Sequence, residues 1–242
     1  MSRVAIVTGA ANGLGLACAE RFAADGYRLA LVDADRDGVE RVGRAFDARG
    51  IHALPIPTDI RDRAACSAAV ASTVARFGCV DVLVNAAGVY PRRPVLDISA
   101  DDWQHVFGVN VLGTYFMMVE AIPEMRRRGE GRIVNVSSID GFKAHPANAH
   151  YAATKAAVIS LTRSLALEVA PLGILVNSVA PGPMATEAAK QSDWYGPMLA
   201  ALPTRQPIEP AEVANAVAFL SDPANVSIAG ENLVISGAGT IV

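Results

Sequence analysis

The chain has 242 residues, of which 52% are hydrophobic and 19% are charged, and this composition excludes an intrinsically disordered protein. Its 21 basic and 24 acidic side chains give a net charge of −3, so we expect no general attraction to nucleic acid or to an anionic membrane. Three scattered cysteines and four histidines lack metal-ligand spacing, so we expect no metal site and a reducing compartment. Because the sequence shows neither a signal peptide nor a long apolar span, we expect a cytoplasmic protein.

Short apolar runs rich in β-formers alternate with helix-length segments along the chain. The predicted strands are Val4–Thr8, Arg28–Val32, Ala53–Pro57, Val80–Asn85, Arg132–Ser137, Leu175–Val179 and Asn232–Ile235. The predicted helices include Gly15–Ala24, Arg61–Phe77, Asp102–Met125, Tyr151–Val169 and Pro210–Leu220. This order predicts a single α/β domain, residues 1–242, with a Rossmann-like doubly wound parallel sheet of about seven strands and helices on both faces. Ligands are then expected at the carboxyl ends of the strands.

One segment interrupts the alternation. Residues 182–210 contain five prolines, and they carry large side chains such as Trp194. A long insert of this kind beyond a strand end predicts a substrate-binding lid within the domain. The alternative is a packed excursion on the surface of the protein.

A glycine-rich turn follows the first predicted strand, where residues 8–15 read TGAANGLG. Glycine has no Cβ, so the backbone can turn tightly and approach a pyrophosphate, and the N-terminus of the next helix offers free N–H groups. Between a first strand and a first helix, the pattern predicts a dinucleotide site rather than an ordinary turn. The candidate contacts are Gly9, Asn12, Gly13, Leu14 and Gly15.

An acidic residue, Asp33, ends the second predicted strand, 18 residues after Gly15. A carboxylate there can accept hydrogen bonds from the adenosine ribose and would repel a 2′-phosphate. Since no basic residue follows at position 34, and Arg36 is explained equally well as a solvated side chain, the sequence favours NAD over NADP. The alternative is that Asp33 only forms a turn.

Tyr151 and Lys155 lie four residues apart in a predicted helix, and therefore on one face of it. A phenol has an ordinary pKa of about 10 and is a poor acid-base group at neutral pH. A nearby ammonium group and a positively charged nicotinamide ring would lower that pKa. The pair is also common on protein surfaces, so its meaning depends on the residues around it.

Further motifs occur at the spacing of a known family. They are Asp59 with Ile60, the run Asn85, Ala86, Ala87 and Gly88, Asn110, Ser138 thirteen residues before Tyr151, and Pro181 and Gly182 followed by Met184 and Thr186. With the glycine-rich turn and the tyrosine–lysine pair, they make the whole chain resemble the classical short-chain dehydrogenase/reductase family.

The resemblance implies a catalytic tetrad. Tyr151 would be the general acid-base residue, and Ser138 would hydrogen-bond the substrate oxygen. Lys155 would bind the nicotinamide ribose and lower the tyrosine pKa, and Asn110 would hold a water molecule in a proton relay. The remaining motif residues, together with Tyr151 and Lys155, would bind NAD.

Two departures from the family pattern are visible. Ala86 replaces the second asparagine of an NNAG motif, which leaves Asn85 alone to carry its structural role, and the usual DGG-like ending is SGAG at residues 236–239. In the family, the helices holding Asn110 and Tyr151 usually pair across a dimer within a tetramer. We therefore expect a homotetramer or a dimer, although a helix buried within one subunit would have the same composition.

Six residues are candidates for the substrate pocket. They are Tyr90, Ile139, Asp140, Phe142, His145 and Trp194. Most are apolar or aromatic, which favours a substrate with a hydrophobic body. Asp140 is the exception, and it would either bind a hydroxyl or amine of the substrate or cap a turn before Gly141.

These observations predict an NAD-dependent oxidoreductase that interconverts a secondary alcohol and a ketone, as an alcohol dehydrogenase or carbonyl reductase. A 3-oxoacyl-thioester reductase or a sugar or polyol reductase on the same scaffold is the alternative. A thioester reductase would favour NADP and a basic patch at the pocket mouth, and Asp33 argues against it. A non-catalytic NAD-sensing scaffold is a third hypothesis, disfavoured by the intact Asn110, Ser138, Tyr151 and Lys155.

Overall fold

The computed structural model describes residues 2–143 and 145–241, so the expected domain limits, 1 and 242, lie outside the described residues. One sheet of seven parallel strands has the order β3-β2-β1-β4-β5-β6-β7. Its strands are β1 Val4–Thr8, β2 Arg28–Asp33, β3 Ala53–Pro57, β4 Val82–Asn85, β5 Gly131–Val136, β6 Ile174–Pro181 and β7 Asn232–Ile235. The prediction of a doubly wound parallel sheet is confirmed, and each predicted strand lies within two residues of its observed bounds.

The helices follow the strands in alternation. They are α1 Gly13–Ala24, α2 Arg36–Asp47, α3 Arg63–Phe77, α4 Ala100–Phe107, α5 Thr114–Arg128, α6 Ala149–Val169, α7 Glu187–Lys190, α8 Tyr195–Ala201 and α9 Pro210–Ser221. The sequence prediction did not include α2, and it assigned no helix to the 182–210 segment, where α7 and α8 lie.

The core has two halves, one on each face of the sheet. Alternate residues of β1 point to opposite faces, so Val7 packs with Phe22 of α1 and Val217 of α9, whereas Ile6 packs with Met117 of α5. Burial on both faces explains the continuous apolar runs from which the strands were predicted. Because the chain leaves β1 for β2 on one side and returns to β4 on the other, a crevice opens at the carboxyl ends of β1 and β4.

The predicted helix over Asp102–Met125 is wrong in one respect. A π-helical turn, Gly108–Gly113, separates α4 from α5, and turns of this kind are frequent at functional sites. The helical run Ala100–Arg128 is also long and apolar enough, by length and composition, to cross a membrane, contrary to the expectation of no long apolar span. In this fold 39% of its most apolar window is buried, and residues such as Met118 pack in the core beneath the sheet.

A buried polar contact joins β4 to β5 at their carboxyl ends. The Asn85 side-chain amide donates to Oδ1 of Asn135, its register partner, at 2.9 Å, and the Asn135 amide donates to Thr162 Oγ1 at 2.9 Å. Asn135 therefore supplies a partner for Asn85 within the sheet.

We predict that Asn85→Ala destabilises the protein by about 1–3 kcal/mol, because the buried Asn135 carbonyl oxygen loses its donor. Urea unfolding followed by circular dichroism measures the free energy. The matched control is Asn215→Ala, since Asn215 bonds Arg21 at the exposed surface and should change the stability by about 0.5 kcal/mol or less. Equal losses in the two variants would contradict the role given to Asn85.

Candidate active site

A cavity of 1130 Å³ lies at the carboxyl ends of the strands. Most of the residues predicted to bind cofactor or substrate line it, and they come from five strand ends, α6 and the 182–210 segment. These are Gly9, Asn12, Gly13, Leu14, Gly15, Asp33, Asp59, Ile60, Ala86, Ala87, Gly88, Tyr90, Ser138, Ile139, Asp140, Tyr151, Lys155, Gly182, Met184, Thr186 and Trp194. The fold thus brings together residues that are up to 185 positions apart in the sequence (9 to 194).

The glycine-rich turn is closely packed against the turn after β4. The Thr8 hydroxyl accepts hydrogen bonds from the N–H groups of Ala86 and Ala87, at 3.1 and 3.0 Å. Gly9 has a φ of +69°, and a Cβ on it would overlap the backbone of Ala87. A Cβ on Gly15 would overlap the Gly9 carbonyl oxygen. Only glycine fits at both positions, and the N-terminus of α1 faces the cavity as a result.

Asp33 braces this turn. Its Oδ2 accepts the N–H of Ala11 at 2.9 Å, and its Oδ1 accepts the N–H of Asp35 at 2.9 Å. The hydrogen bond from the Asp35 N–H closes a turn, as the alternative hypothesis that Asp33 only forms a turn would expect. The same carboxylate lines the cavity, so forming a turn and facing a ligand are compatible here. Arg36 forms an exposed ion pair with Glu40, which agrees with its interpretation as a solvated side chain.

Asp59 lies further along the same wall of the cavity, and its carboxylate forms hydrogen bonds with Arg61. Arg61 Nε donates to both carboxylate oxygens, at 3.0 and 2.9 Å, and this hydrogen bonding lowers the pKa of Asp59. His105 approaches Arg61 with 3.4 Å between Nδ1 and Nη1. The sequence pattern gave no sign of Arg61 or His105, since neither belongs to a motif.

Tyr151 lies near the start of α6, and its phenol faces Ser138 at the end of β5. Burial raises the pKa of Tyr151 well above its ordinary value, and the adjacent Ser138 hydroxyl partly offsets that rise. Asp140 raises it further, through its negative charge. Burial outweighs the Ser138 hydroxyl, so the phenol is protonated at neutral pH. The lowering of the pKa that the sequence pattern predicts beside a nicotinamide ring concerns the protein with a bound cofactor.

Lys155 lies beside Tyr151, with its Nζ 5.5 Å from the centre of the tyrosine ring. Nζ donates to the Val136 carbonyl oxygen at 2.8 Å, which holds the side chain against the end of β5. Burial lowers the pKa of Lys155 from 10.5 to about 8. A lysine ammonium has three donors, and only one is used by Val136, so Lys155 can donate to a hydroxyl group in the cavity.

Asn110 lies in the π-helical turn, buried behind the cavity wall. Its Oδ1 accepts the Val89 N–H at 2.9 Å, and its Nδ2 donates to the Val89 carbonyl at 2.9 Å and to Thr154 Oγ1 at 3.1 Å. The side chain therefore fixes the turn after β4 onto α6. Both amide hydrogens of Asn110 are therefore already donated within the protein.

Asp140 follows Ser138 by two residues, and its backbone N–H donates to the Ser138 hydroxyl at 3.1 Å. Its carboxylate accepts from Asn148 Nδ2 at 2.5 Å and lies 3.3 Å from His145 Nε2. Desolvation by burial raises the pKa of Asp140, while the charges of His145 and Arg92 oppose that rise. Asp140 is thus held in place by the protein and forms part of the wall near the tyrosine.

Five predicted site residues do not line the cavity in the described part of the chain. They are Asn85, Asn110, Phe142, His145 and Pro181. The first two are buried in polar contacts behind the wall, Pro181 is buried at the end of β6, and His145 lies behind Asp140. Phe142 is 40% exposed and lies outside the cavity lining.

Several wall residues were missed because no motif contains them. The most informative are Arg41, Arg92, Asn148 and Met198. Asn148 and Arg92 come from loops, where neither periodicity nor spacing indicates which side chains face inward. Among residues 2–143 and 145–241, no group of three His, Cys, Asp or Glu side chains could hold a metal ion.

Comparison with known proteins gives extensive matches. A family described as Enoyl-(Acyl carrier protein) reductase matches residues 9–239. Oxidoreductase UcpA of Salmonella typhimurium is 37% identical over 250 aligned positions, covering 99% of this chain and 95% of the relative. The 3-oxoacyl-[acyl-carrier-protein] reductase FabG of Staphylococcus aureus is 34% identical and covers 98% of both.

A solved structure is similar over the same extent. The crystal structure of 3-ketoacyl-(acyl-carrier-protein) reductase from Brucella melitensis, complexed with NADH, superposes with a TM-score of 0.92 at 34% identity. The match covers 99% of this chain and 98% of that one.

The low pKa of Lys155 predicts a distinctive pH dependence of stability. Between about pH 8 and pH 10 the unfolded chain keeps the lysine proton and the folded chain has lost it, so stability attributable to this group rises with pH. Relative to Lys155→Met, the wild type should gain about 1–3 kcal/mol across that window in urea unfolding. Lys190→Met is the control, because Lys190 pairs with Glu187 at the surface and its pKa is raised. A constant difference between wild type and Lys155→Met would contradict the assignment.

Proposed function

The chain belongs to the short-chain dehydrogenase/reductase family and is an oxidoreductase, and on that premise we propose that it interconverts a secondary alcohol and a ketone by hydride transfer with NAD(H). The observation that carries the proposal is one cavity that joins the glycine-rich turn and Asp33 to Ser138, Tyr151 and Lys155. A non-catalytic scaffold would need no acid-base group beside its nucleotide site.

The fit of a dinucleotide rests on the cavity wall. The close packing at Gly9 and Gly15 leaves the N-terminus of α1 open to a pyrophosphate. Asp33 faces the same cavity and would accept hydrogen bonds from an adenosine ribose. Arg41 is a cation on this wall, but Asp33 lies at the end of β2 and would repel a 2′-phosphate there, which supports NAD over NADP.

The bound cofactor would supply or accept the hydride and, in its oxidised form, add a positive charge near the phenol. Tyr151 would transfer the proton to or from the substrate oxygen, and Ser138 would hydrogen-bond that oxygen. Because burial keeps the phenol protonated in the free protein, Tyr151 is ready to donate a proton to a ketone. As a base toward an alcohol, it would need the added positive charge to lower its pKa.

Lys155 and Asn110 would support this proton transfer. Lys155 would donate to a ribose hydroxyl with the hydrogens that Val136 leaves free, and its charge would favour the phenolate. Asn110 would act through its main chain in a proton relay, while its side chain orders the turn at Val89.

The substrate end of the cavity combines Tyr90 and Ile139 with Trp194 of the 182–210 segment. We propose that this segment is a lid, since it forms one wall and carries α7 and α8. The apolar side chains favour a substrate with a hydrophobic body. A 3-oxoacyl-thioester is the second candidate substrate, supported by the names of the Staphylococcus and Brucella relatives. Nothing comparable favours a sugar or polyol.

A homotetramer, or a dimer, is proposed from the exposed apolar side chains of the helical run that holds Asn110. Trp103, Leu112 and Tyr115 are 37%, 49% and 37% exposed, and they follow one another along α4, the π-helical turn and α5. A second copy would cover this apolar surface.

We predict that Tyr151→Phe lowers kcat by about 10²–10⁴-fold while NADH binding is retained, because only the proton-transferring hydroxyl is removed. Ketone-dependent loss of NADH absorbance measures turnover, and quenching of protein fluorescence measures binding. Tyr27→Phe is the control, since Tyr27 packs on Phe22 away from the cavity. Full activity of Tyr151→Phe would refute the proposed role.

The cofactor preference is predicted to depend on Asp33. The wild type should use NADH with a higher kcat/KM than NADPH, and Asp33→Ala should lower that ratio about tenfold or more by removing the repulsive carboxylate. Asp37→Ala, in the exposed first turn of α2, should keep the wild-type ratio. A wild-type preference for NADPH would overturn the assignment of NAD.

A further inference from the structure

Two consecutive arginines follow the turn after β4, and they have different surroundings. Arg93 lies 3.5 Å from the Asp102 carboxylate, and its main-chain N–H bonds the Ala147 carbonyl oxygen. Arg92 has no carboxylate within 4 Å among residues 2–143 and 145–241. Arg92 lines the cavity, whereas Arg93 does not.

The Arg92 guanidinium contacts two side chains of the proposed lid, through a cation–π contact and a hydrogen bond to sulfur. It lies over the indole ring of Trp194, with 4.9 Å from Cζ to the ring centre, and its Nη2 is 3.9 Å from Met198 Sδ. A guanidinium has five N–H donors in one plane. Among the described residues the contact with Met198 uses one of them, so donors remain available for the two oxygens of an anion.

In the part of the chain that the structure describes, no carboxylate of the cavity wall lies within 4 Å of Arg92. Asp140 lines the same cavity as Arg92, and the charge of Arg92 opposes the rise in the Asp140 pKa. The Asp140 carboxylate is already bound by Asn148 and lies beside His145. Within the described ranges, 2–143 and 145–241, Arg92 is thus a cation on the cavity wall without an ion-pair partner, next to apolar side chains that would contact the body of a ligand.

We propose that Arg92, supported by Trp194, binds an anionic group of the substrate, a carboxylate or a phosphate, at a distance from the reacting carbonyl. The inference rests on the proposed function, because it assigns the substrate class of the same site. The physiological substrate is then an oxo or hydroxy compound with an apolar segment between its reacting carbon and an acidic end. Asp140, on the tyrosine side of the pocket, would repel a substrate that enters with its acidic end first.

A competing interpretation is that Arg92 only fastens the proposed lid through Trp194 and Met198. A fastening residue would affect charged and neutral substrates alike. An anion-binding residue would discriminate between them. The two interpretations therefore differ in the ratio of kcat/KM for charged and neutral substrates, and not in the overall rate.

The test uses aliphatic oxo acids in which the number of methylene groups between ketone and carboxylate increases, each compared with its uncharged methyl ester. The wild-type protein, Arg92→Met, Arg92→Lys and Arg93→Met are assayed with NADH. A 3-oxoacyl-coenzyme A thioester is assayed in parallel to supply phosphate in place of carboxylate. Arg93→Met is the matched control, since it removes the same charge from the neighbouring position.

The wild type should prefer an acid of one chain length over its ester, and Arg92→Met should lower that acid-to-ester ratio of kcat/KM about tenfold or more. Arg92→Lys should restore the ratio only in part, because lysine lacks the planar fork. Arg93→Met should keep the wild-type ratio. The wild-type KM for the acid should rise with ionic strength, and that for the ester should not.

If the loss on Arg92→Met is confined to the coenzyme A thioester, the anion is a phosphate, and the proposal holds with that source. An equal fall of kcat/KM for acid and ester, or an unchanged acid-to-ester ratio without any loss on the coenzyme A thioester, would overturn the proposal and leave ketone reduction intact. Wild-type protein that turns over neither acids, esters nor thioesters would instead overturn the proposed function itself.

Discussion

The contact between the turns that follow β1 and β4 is the constraint on which the site depends. Thr8 accepts the two N–H groups of Ala86 and Ala87, and Gly9 lies so close to Ala87 that no side chain fits between them. This contact lies at the carboxyl ends of the neighbouring strands β1 and β4, where the order of the strands in the sheet changes direction. It also sets the position of α1 relative to the residues after β4, and hence the shape of the cavity beside the glycine-rich turn.

The chemical end depends on a second constraint, the burial of two ionisable groups side by side. Burial moves the pKa of Tyr151 up and that of Lys155 down, so each group is driven toward its neutral form. The phenol of Tyr151 is therefore protonated at neutral pH, whereas the Lys155 pKa of about 8 lies close to neutrality. In the proposed mechanism, the positive charge of an oxidised cofactor would lower the Tyr151 pKa, which would link its action as a base to an occupied site.

Much of this could be predicted from the sequence, because strong local patterns carry the fold. Strands buried on both faces appear as apolar runs, and the glycine-rich turn appears as a motif. The prediction did not include α2, whose glycines at 38 and 43 weaken the helical pattern. In the structure a Cβ on Gly43 would overlap the ring of Pro55, so that glycine serves packing against β3. Glycine disfavours a helix at position 43, whereas the contact with Pro55 requires it. The structure shows that the helix forms despite its glycines.

The parts of the site that could not be predicted come from loops and from a helix irregularity. Arg92 and Asn148 face the cavity because of the path of their loops, which no period in the sequence encodes. The π-helical turn around Asn110 likewise leaves no pattern, since its residues continue the apolar composition of the helices on either side. Asp33 is intermediate, because the sequence identified the carboxylate but not the backbone groups that it binds.

Asp33 accepts two backbone hydrogen bonds, and this limits which substitutions the position can tolerate. One of its oxygens holds Ala11 in the glycine-rich turn, and the other closes the turn to Asp35. A substitution that removes the Asp33 carboxylate also removes the acceptor that shapes the glycine-rich turn. The N–H groups of Ala11 and Asp35 then lose their partner, so any exchange of Asp33 alters the backbone of the cavity wall together with its charge.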